Sequence, residues 1–271
     1  MIAITPLLLT FNESENIGRT MAALRWAKQI IVVDSFSTDE TVAIAKASHP
    51  NVVVLQRQFD THATQWNFGV DQITTRWVLS LDADYELSRE LIDELHQLQP
   101  PNDVAGYETQ FEYRIFGRSL RSSVYPAHTV LFRRDCARYR DDGHTQKLEI
   151  EGKVIRLIGK IYHDDRKPLS RWLSSQDRYT IIEAQHLLST PLDQLSAQDR
   201  LRRKIFFAPA MMFLYLLFAR GLLLDGWRGW LYVCQRTIAE ILLSLRLLIR
   251  RERLERMTVR APEQQQTSDF Y

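Results

Sequence analysis

Apolar and polar positions in the first hundred residues switch between two periods. Ile2 to Leu9, Gln29 to Val33, Val52 to Leu55 and Arg76 to Leu81 are short apolar runs closed by polar residues, and they read as buried strands (Pro6 argues for an irregularity in the first). Between them the period lengthens. Ile17, Met21 and Leu24 recur at helical spacing, and Ser37-Thr38-Asp39-Glu40 has capping-box spacing and opens a helix through about Ala47. His62 to Thr74 reads as a third helix, and Ser88 caps a fourth from Glu90 to Leu98 that stops at Pro100-Pro101. Strands alternating with helices imply right-handed crossovers and a parallel sheet, an α/β architecture whose ligands lie outside the carboxyl ends of the strands.

Past residue 103 the pattern loosens. Gly106 to Tyr113, Thr129 to Arg133 and Lys153 to Ile158 read as strands between irregular loops, expected to add mixed strands to the sheet and build the far side of a cleft. From Pro168 the chain is helical, beginning with an amphipathic segment through Leu169, Trp172, Leu173, Gln176 and Tyr179 to about Leu188. Ile205 to Ala219 holds fifteen residues without a charge, between Arg202-Arg203-Lys204 and Arg220. That is short of the ~20 residues a spanning helix needs. Trp230 to Ile249 is interrupted by Arg236, Glu240 and Arg246. Both segments read as C-terminal helices lying half sunk in a membrane surface and pinned by flanking Arg, with a homo-oligomer interface as the alternative. The resulting expectation is a catalytic domain over 1–167 (halves 1–100 and 101–167), a helical region over 168–260 and a disordered tail over 261–271, which carries Gln264-Gln265-Gln266.

Composition adds little except in the distribution of charge. A net charge of +2 gives no reason to expect a nucleic-acid partner, yet residues 200–260 hold thirteen Arg or Lys against four Asp or Glu. Cys136 and Cys234 lack metal-ligand spacing, and Met1 to Pro6 has no basic n-region or cleavage site. Both point to the cytoplasm, and with the C-terminal helices to a protein peripheral on the inner face of the cell membrane.

The chemistry concentrates where the fourth strand ends, in Asp82-Ala83-Asp84. Carboxylates buried at a strand tip cost free energy unless a cation or hydrogen-bond donors meet them, and a Mg²⁺ or Mn²⁺ ion holding a diphosphate would do so. An Asp-rich turn is the plainer reading of the tripeptide alone. Other strand ends add Thr10-Phe11-Asn12-Glu13, offering an aromatic face and a carboxylate to a base and ribose, and Asp34, a pure acceptor suited to a uracil imide. Gln65 and Asn67 lie on the helix expected to face the same crevice. A nucleotidyltransferase or a dinucleotide-binding dehydrogenase would want a Gly-rich loop after the first strand, and Thr10 to Glu13 has no Gly.

Thr10-Phe11-Asn12-Glu13-Ser14-Glu15-Asn16-Ile17, Ile31-Val32-Val33-Asp34-Ser35-Phe36-Ser37-Thr38-Asp39 and Leu79-Ser80-Leu81-Asp82-Ala83-Asp84 together resemble a family-2 glycosyltransferase of the GT-A fold. The resemblance is greatest to the branch that includes lipopolysaccharide-core glucosyltransferases. It covers residues 1–100 strongly and extends more loosely to about residue 190. It implies inverting transfer from a nucleotide diphospho-sugar, UDP-linked, to the hydroxyl of a glycan or lipid-linked acceptor. Phe11, Glu13 and Asp34 would contact base and ribose, Asp82 the ribose and metal, and Asp84 and His163 would be metal ligands. Arg133, Arg134 and Arg166 are candidates to meet the leaving diphosphate. A general base must also deprotonate the acceptor. Relatives in this branch carry His-Glu where this chain reads His144-Thr145, so Asp142, Asp141 or His144 itself is left for that role, Asp142 being favoured. A nucleotide-sugar-binding protein without turnover is the competing reading that Thr145 raises.

Overall fold

The computed structural model describes residues 2–142 and 145–260, and the chain divides into two compact units, Met1–Pro168 and Leu169–Tyr271. The tail expected to be disordered lies outside the described residues.

The first unit begins with β1 (Ile4–Thr10), α1 (Ile17–Ala22), β2 (Ile30–Asp34), α2 (Thr41–Ser48), β3 (Val52–Gln56), α3 (His62–Asp71), β4 (Trp77–Asp82), β5 (Tyr85–Leu87) and α4 (Arg89–Gln97). It continues with β6 (Val104–Ile115), β7 (Arg118–Ser119), β8 (His128–Arg133), β9 (Ala137–Asp142), β10 (Thr145–Ile150) and β11 (Lys153–His163). The mixed α/β sheet expected from the pattern is what forms. Its order is β3-β2-β1-β4-β8-β6-β11-β5, with β7 beside β6. β1 to β4 are mutually parallel where they pair, whereas β8 runs antiparallel to both β4 and β6.

Alternation along the strands sorts side chains to the two faces. Leu8, Ile30 and Val32 pack with Ile17, Met21, Leu24 and Leu91. Leu7, Ile31 and Val33 point the other way, onto Ala63, Trp66 and Val70 of α3. With both faces covered, the parallel strands read as continuous apolar runs, which is why their placement was legible.

Elsewhere the pattern misleads. Ser37 opens no helix: α2 starts at Thr41 with Glu40 at its N-cap, and the capping box is at Thr61 and Thr64 of α3. Ser37 is drawn off by Asp34, whose carboxylate accepts from both its amide and its hydroxyl. β11 runs to His163, beyond the expected end at Ile158, because its register with β6 shifts between Arg156 and Lys160. That irregularity exposes Ile158 and delivers the Ile158 and Gly159 amides to the Glu94 carboxylate at 2.9–3.1 Å. The β9–β10 hairpin has no strong period and falls where the pattern predicts an irregular loop.

A Cβ at Gly159 would sit 2.3 Å from the Leu91 Cα, so only glycine lets α4 lie against this strand. Gly159→Ala is expected to cost about 2–3 kcal/mol, at the upper end for overpacking because backbone is what must move, visible as a lower urea midpoint at unchanged slope.

The second unit comprises α5 (Leu169–Ser189), α6 (Ala197–Arg202), α7 (Phe207–Leu214), a π-helical turn (Tyr215–Ala219), a 3-10 turn (Leu222–Asp225) and α8 (Gly226–Arg260). Gly221 and Gly226, both at positive φ, allow the break before α8. Ala184, Leu187, Leu195, Ile205, Leu243 and Leu247 form its core. Arg202, expected to flank an interfacial helix, instead turns inward to Glu240 at 2.7 Å and Glu183 at 3.2 Å.

Candidate functional site

The carboxyl ends of β1, β2 and β4 open on the same edge of the sheet, because these strands are parallel. The turn after β4 is fixed by its surroundings: the Thr20 hydroxyl on α1 donates to the Ala83 carbonyl at 2.7 Å. β5 then pairs with β11, setting His163 opposite Tyr85 and one residue from Asp84. Chain order alone would never bring residues 84 and 163 together.

Asp84 is nearly buried. Its Oδ2 lies 3.3 Å from His163 Nε2 and 3.9 Å from Lys167 Nζ, while its Oδ1 is buried without a hydrogen-bond partner. Lys167 Nζ is 2.9 Å from Glu13 Oε1 and 3.5 Å from Asp165 Oδ2. Four carboxylates, Glu13, Asp82, Asp84 and Asp165, thus share one ammonium and one imidazole. The consequences for proton binding follow from that imbalance. Burial, with the Asp84 charge adding to it, pushes the Glu13 carboxyl up to about 7 and Asp82 up to about 6. Burial would raise Asp84 too, but His163 and then Lys167 outweigh it and hold Asp84 well below the usual carboxylate range. Burial works against the charged forms of His163 and Lys167, yet the surrounding carboxylates, Asp84 foremost, raise both.

Asn16, fully buried at the start of α1, fastens the 163–167 segment. Its amide donates to Glu13 at 3.0 Å and Asp165 at 3.2 Å, and its carbonyl accepts from Arg19 at 2.7 Å and the Arg166 amide at 3.1 Å. Removing a buried group with four bonds strands several donors, so Asn16→Ala is expected to cost about 2–4 kcal/mol, read by urea unfolding, and to loosen Lys167.

The β1 and β2 ends are held by a separate network. Asp34 has no exposed surface and accepts from Thr10 Oγ1 at 3.0 Å, the Ser37 amide at 2.9 Å, the Ser37 hydroxyl at 2.5 Å and Gln56 Nε2 at 3.4 Å. Its carboxylate therefore splices the two loops in this structure, and a base reading it would have to displace one of those partners. Asn12, at φ 53, accepts from the Thr38 amide at 2.7 Å, and the Glu13 amide donates to Thr41 Oγ1 at 2.6 Å. Thr10 and Asn12 thus support loops, while Phe11 between them is 44% exposed. Phe36 faces solvent beside the same loops at 48% exposure and φ 61, an uncommon conformation for an aromatic residue.

Other candidates are placed elsewhere. Gln65 is buried, donating to Ser35 Oγ at 3.0 Å and accepting from Arg57 at 2.6 Å, near the β2 end. Asn67 pairs with the Tyr139 backbone on β9, at 2.9 and 3.0 Å, so its amide is spent on holding that hairpin to α3. Arg133 stands opposite Trp77, at the far end of β4 from Asp82, and bonds Asp135. Arg166 bonds Asp164 at 2.8 Å. Asp141 accepts from the Ala63 amide at 3.3 Å in the first turn of α3. His144 and the Asp142 side chain lie outside the described residues. Among the described residues no three His, Cys, Asp or Glu side chains gather closely enough to form a ready-made metal cage.

Sequence reasoning missed Lys167, Asn16 and Phe36. Lys167 stood in the polar run His163 to Pro168, the one signal available. Nothing local marks Asn16 as the fastener or gives Phe36 its backbone conformation.

Residues 7–140 match the family model described as glycosyl transferase family 2. An uncharacterized glycosyltransferase of Rickettsia conorii is 38% identical over 59% of this chain and 58% of its own length. With 58–59% of three such Rickettsia proteins aligned, the chain spans about three fifths of the curated relatives it matches there. The lipopolysaccharide core biosynthesis glycosyltransferase LpsC of Rhizobium meliloti is 25% identical over 85% of this chain and 86% of its own. Among solved structures, S. aureus TarS 1-349 in complex with UDP-GlcNAc aligns at 14% identity over 88% of this chain and 90% of that one, with a TM-score of 0.44, too distant a likeness to carry a substrate. The family match spans the sheet edge on which Glu13, Asp34, Asp82 and Asp84 stand. Residues 7–140 of this chain are a glycosyltransferase domain of family 2.

Proposed function

We propose that the first unit moves a sugar from a nucleotide diphospho-sugar, UDP-linked, to an acceptor hydroxyl with inversion, using Mg²⁺ or Mn²⁺. The observation that carries this reading is the Asp84 carboxylate, buried at the carboxyl edge of β4 with one oxygen unpartnered, in a cluster of four carboxylates and two cationic side chains. With its carboxyls ionised such a cluster is short of positive charge, and a divalent cation would supply it. Asp84 with Asp82 would hold it, since Mg²⁺ suits one or two carboxylates completed by water and phosphate oxygens. His163, whose proton affinity Asp84 raises against the effect of burial, would join them only as the neutral imidazole. Bound there, the cation would offset charge developing on the leaving diphosphate.

The chain's own groups supply the rest. Lys167 brings a fixed ammonium to the same crevice, and Glu13 faces it from the loop after β1. Phe11 offers a ring face to the base. The general base is Asp142 or His144. The acceptor is a lipopolysaccharide or other cell-envelope glycan, met at the inner membrane face. The LpsC relative and the exposed apolar helices of the second unit support that assignment.

The proton bookkeeping gives a pH dependence. Asp82 and Glu13, raised to about 6 and 7, must lose protons when a cation binds, so Mn²⁺ affinity is expected to fall as pH drops from about 8 toward 5.5. One displaced proton gives about tenfold per pH unit below its pKa, measured by Mn²⁺ titration calorimetry. A flat profile would remove Asp82 from the site. Release of UDP from a panel of UDP-sugars, with cell-envelope extract as acceptor, tests the activity itself. Binding without turnover across the panel would leave a nucleotide-sugar-binding protein instead.

A further inference from the structure

We propose that the second unit docks on an anionic phospholipid bilayer, seating a lipid phosphate in a basic cleft between α6 and the far end of α8 while one face of α8 lies in the membrane plane. The proposal rests on the envelope-acceptor reading above, but its evidence lies wholly in the second unit.

The cleft has a volume of about 500 Å³ and is lined by Arg200, Arg203, Lys204 and Arg251, with Leu192 and a single carboxylate, Asp193. Arg203 and Arg251 are steadied by backbone: Arg203 donates to the Thr190 carbonyl at 3.4 Å, and Arg251 to the Arg203 carbonyl at 3.0 Å. A carbonyl fixes a guanidinium without cancelling its charge, and four cationic side chains border the space between α6 and α8. An anion with several acceptor oxygens matches them, and a phosphodiester is the membrane group of that chemistry.

What adjoins the cleft selects a lipid over a soluble anion. Two residues past Lys204 the chain becomes apolar and exposed, with Phe206 at 76% and Phe207 at 64%. On α8, Trp227, Trp230, Ile238, Ile241, Leu245 and Ile249 are all exposed, and exposed Cys234 fills the gap in their series. Their spacing is 3-4-4-3-4-4, which at 3.6 residues per turn confines them to an arc of about 100° along about 33 Å of helix. This spacing drifts by only about 20° every eleven residues, so the stripe stays on one side of a straight helix and fits a plane. A left-handed coil with a second copy would call for alternating threes and fours, and a right-handed one, which this spacing permits, would have to overcome the positive charge of both copies.

Charge points the same way. Thirteen Arg or Lys against four Asp or Glu over residues 200–260 repel a second copy and complement an anionic surface. No single helix among the described residues is long and apolar enough to span, and Phe207–Ala219 and Leu222–Glu252 pass that test only as a pair bent by 71°.

The test is flotation of the full chain with phosphatidylcholine vesicles, with and without phosphatidylglycerol. Wild type is expected to float with the anionic vesicles and much less with neutral ones. Arg200→Gln with Lys204→Gln should weaken that binding by on the order of thirtyfold, from about 1 kcal/mol per cation. Ile241→Asp with Leu245→Asp should abolish it, with both variants retaining wild-type circular dichroism and UDP binding. Failure of wild type to float, or flotation indifferent to phosphatidylglycerol and to the cleft variant, overturns the proposal. So does thermal protection by inorganic phosphate without vesicle binding, which marks a free-anion site, or a dimer in sedimentation that Ile241→Asp and Leu245→Asp disperse while flotation persists. Flotation as expected in a protein that never turns over a UDP-sugar upholds the docking and sinks only the transferase reading.

Discussion

Asp84→Asn is expected to lower UDP-sugar turnover about a thousandfold or more. The substitution keeps volume and shape, so the turn that Thr20 holds through the Ala83 carbonyl survives. What it removes is the negative charge on the one carboxylate of the cluster held ionised below the ordinary range. Loss of the electrostatic stabilisation that such a group organises around a leaving diphosphate is worth several kcal/mol, which is the source of the magnitude. Asp82→Asn should cost less, about ten- to a hundredfold, because Asp82 begins at about 6 and is more readily neutral. Initial rates at saturating donor, with circular dichroism to establish folding, separate the two. An Asp84→Asn enzyme retaining more than a tenth of wild-type turnover would be incompatible with the site described.

Lys167→Met is expected to cost about 3 kcal/mol of stability at pH near 8. Lys167 faces Glu13 at 2.9 Å and Asp165 at 3.5 Å and is four-fifths withdrawn from solvent. Its loss leaves like charges facing one another with only His163 between them and Asp84. The pH dependence has a definite sign. Glu13 has its folded-state pKa raised to about 7, so its contribution to stability is fully present below its ordinary value of 4.5 and lost as pH rises through 7. At about pH 5.5 Glu13 carries a proton and the Lys167→Met penalty should shrink; it should grow as pH rises through 7 and beyond, because loss of the ammonium raises the Glu13 carboxyl further. Glu13→Gln in the Lys167→Met background should restore most of the loss at high pH, giving a coupling energy by double-mutant cycle that fades on acidification. Urea unfolding at the two pH values measures all four corners.

The sheet was legible because its parallel strands are covered on both faces, which makes them continuous apolar runs that end abruptly in polar residues. Asp82-Ala83-Asp84 could be picked out for the same reason: carboxylates at the end of such a run need an explanation. Long-range partnerships were not legible. The pairing of β5 with β11 sets His163 beside Asp84, and Asn16 reaches across nearly 150 residues to fasten the loop carrying Lys167. Neither leaves a local period. Asn67, which the pattern places on the helix facing the crevice, bonds the Tyr139 backbone through both ends of its amide, a partnership that leaves no local signal either. Ser37 had the spacing of a helix cap and lost that role to a neighbouring carboxylate three residues back. Spacing names residues able to play a part; competing partners in space decide which part is taken.

The central claim is that the Asp84 crevice holds a divalent cation together with a nucleotide diphosphate. Titration calorimetry of UDP into the full chain, with and without Mn²⁺, tests it most directly. Wild type should bind UDP at least about tenfold more tightly with Mn²⁺, a coupling of about 1.4 kcal/mol, and Asp84→Asn should show no such gain. UDP binding to wild type that is indifferent to Mn²⁺, or an equal gain in Asp84→Asn, would contradict it.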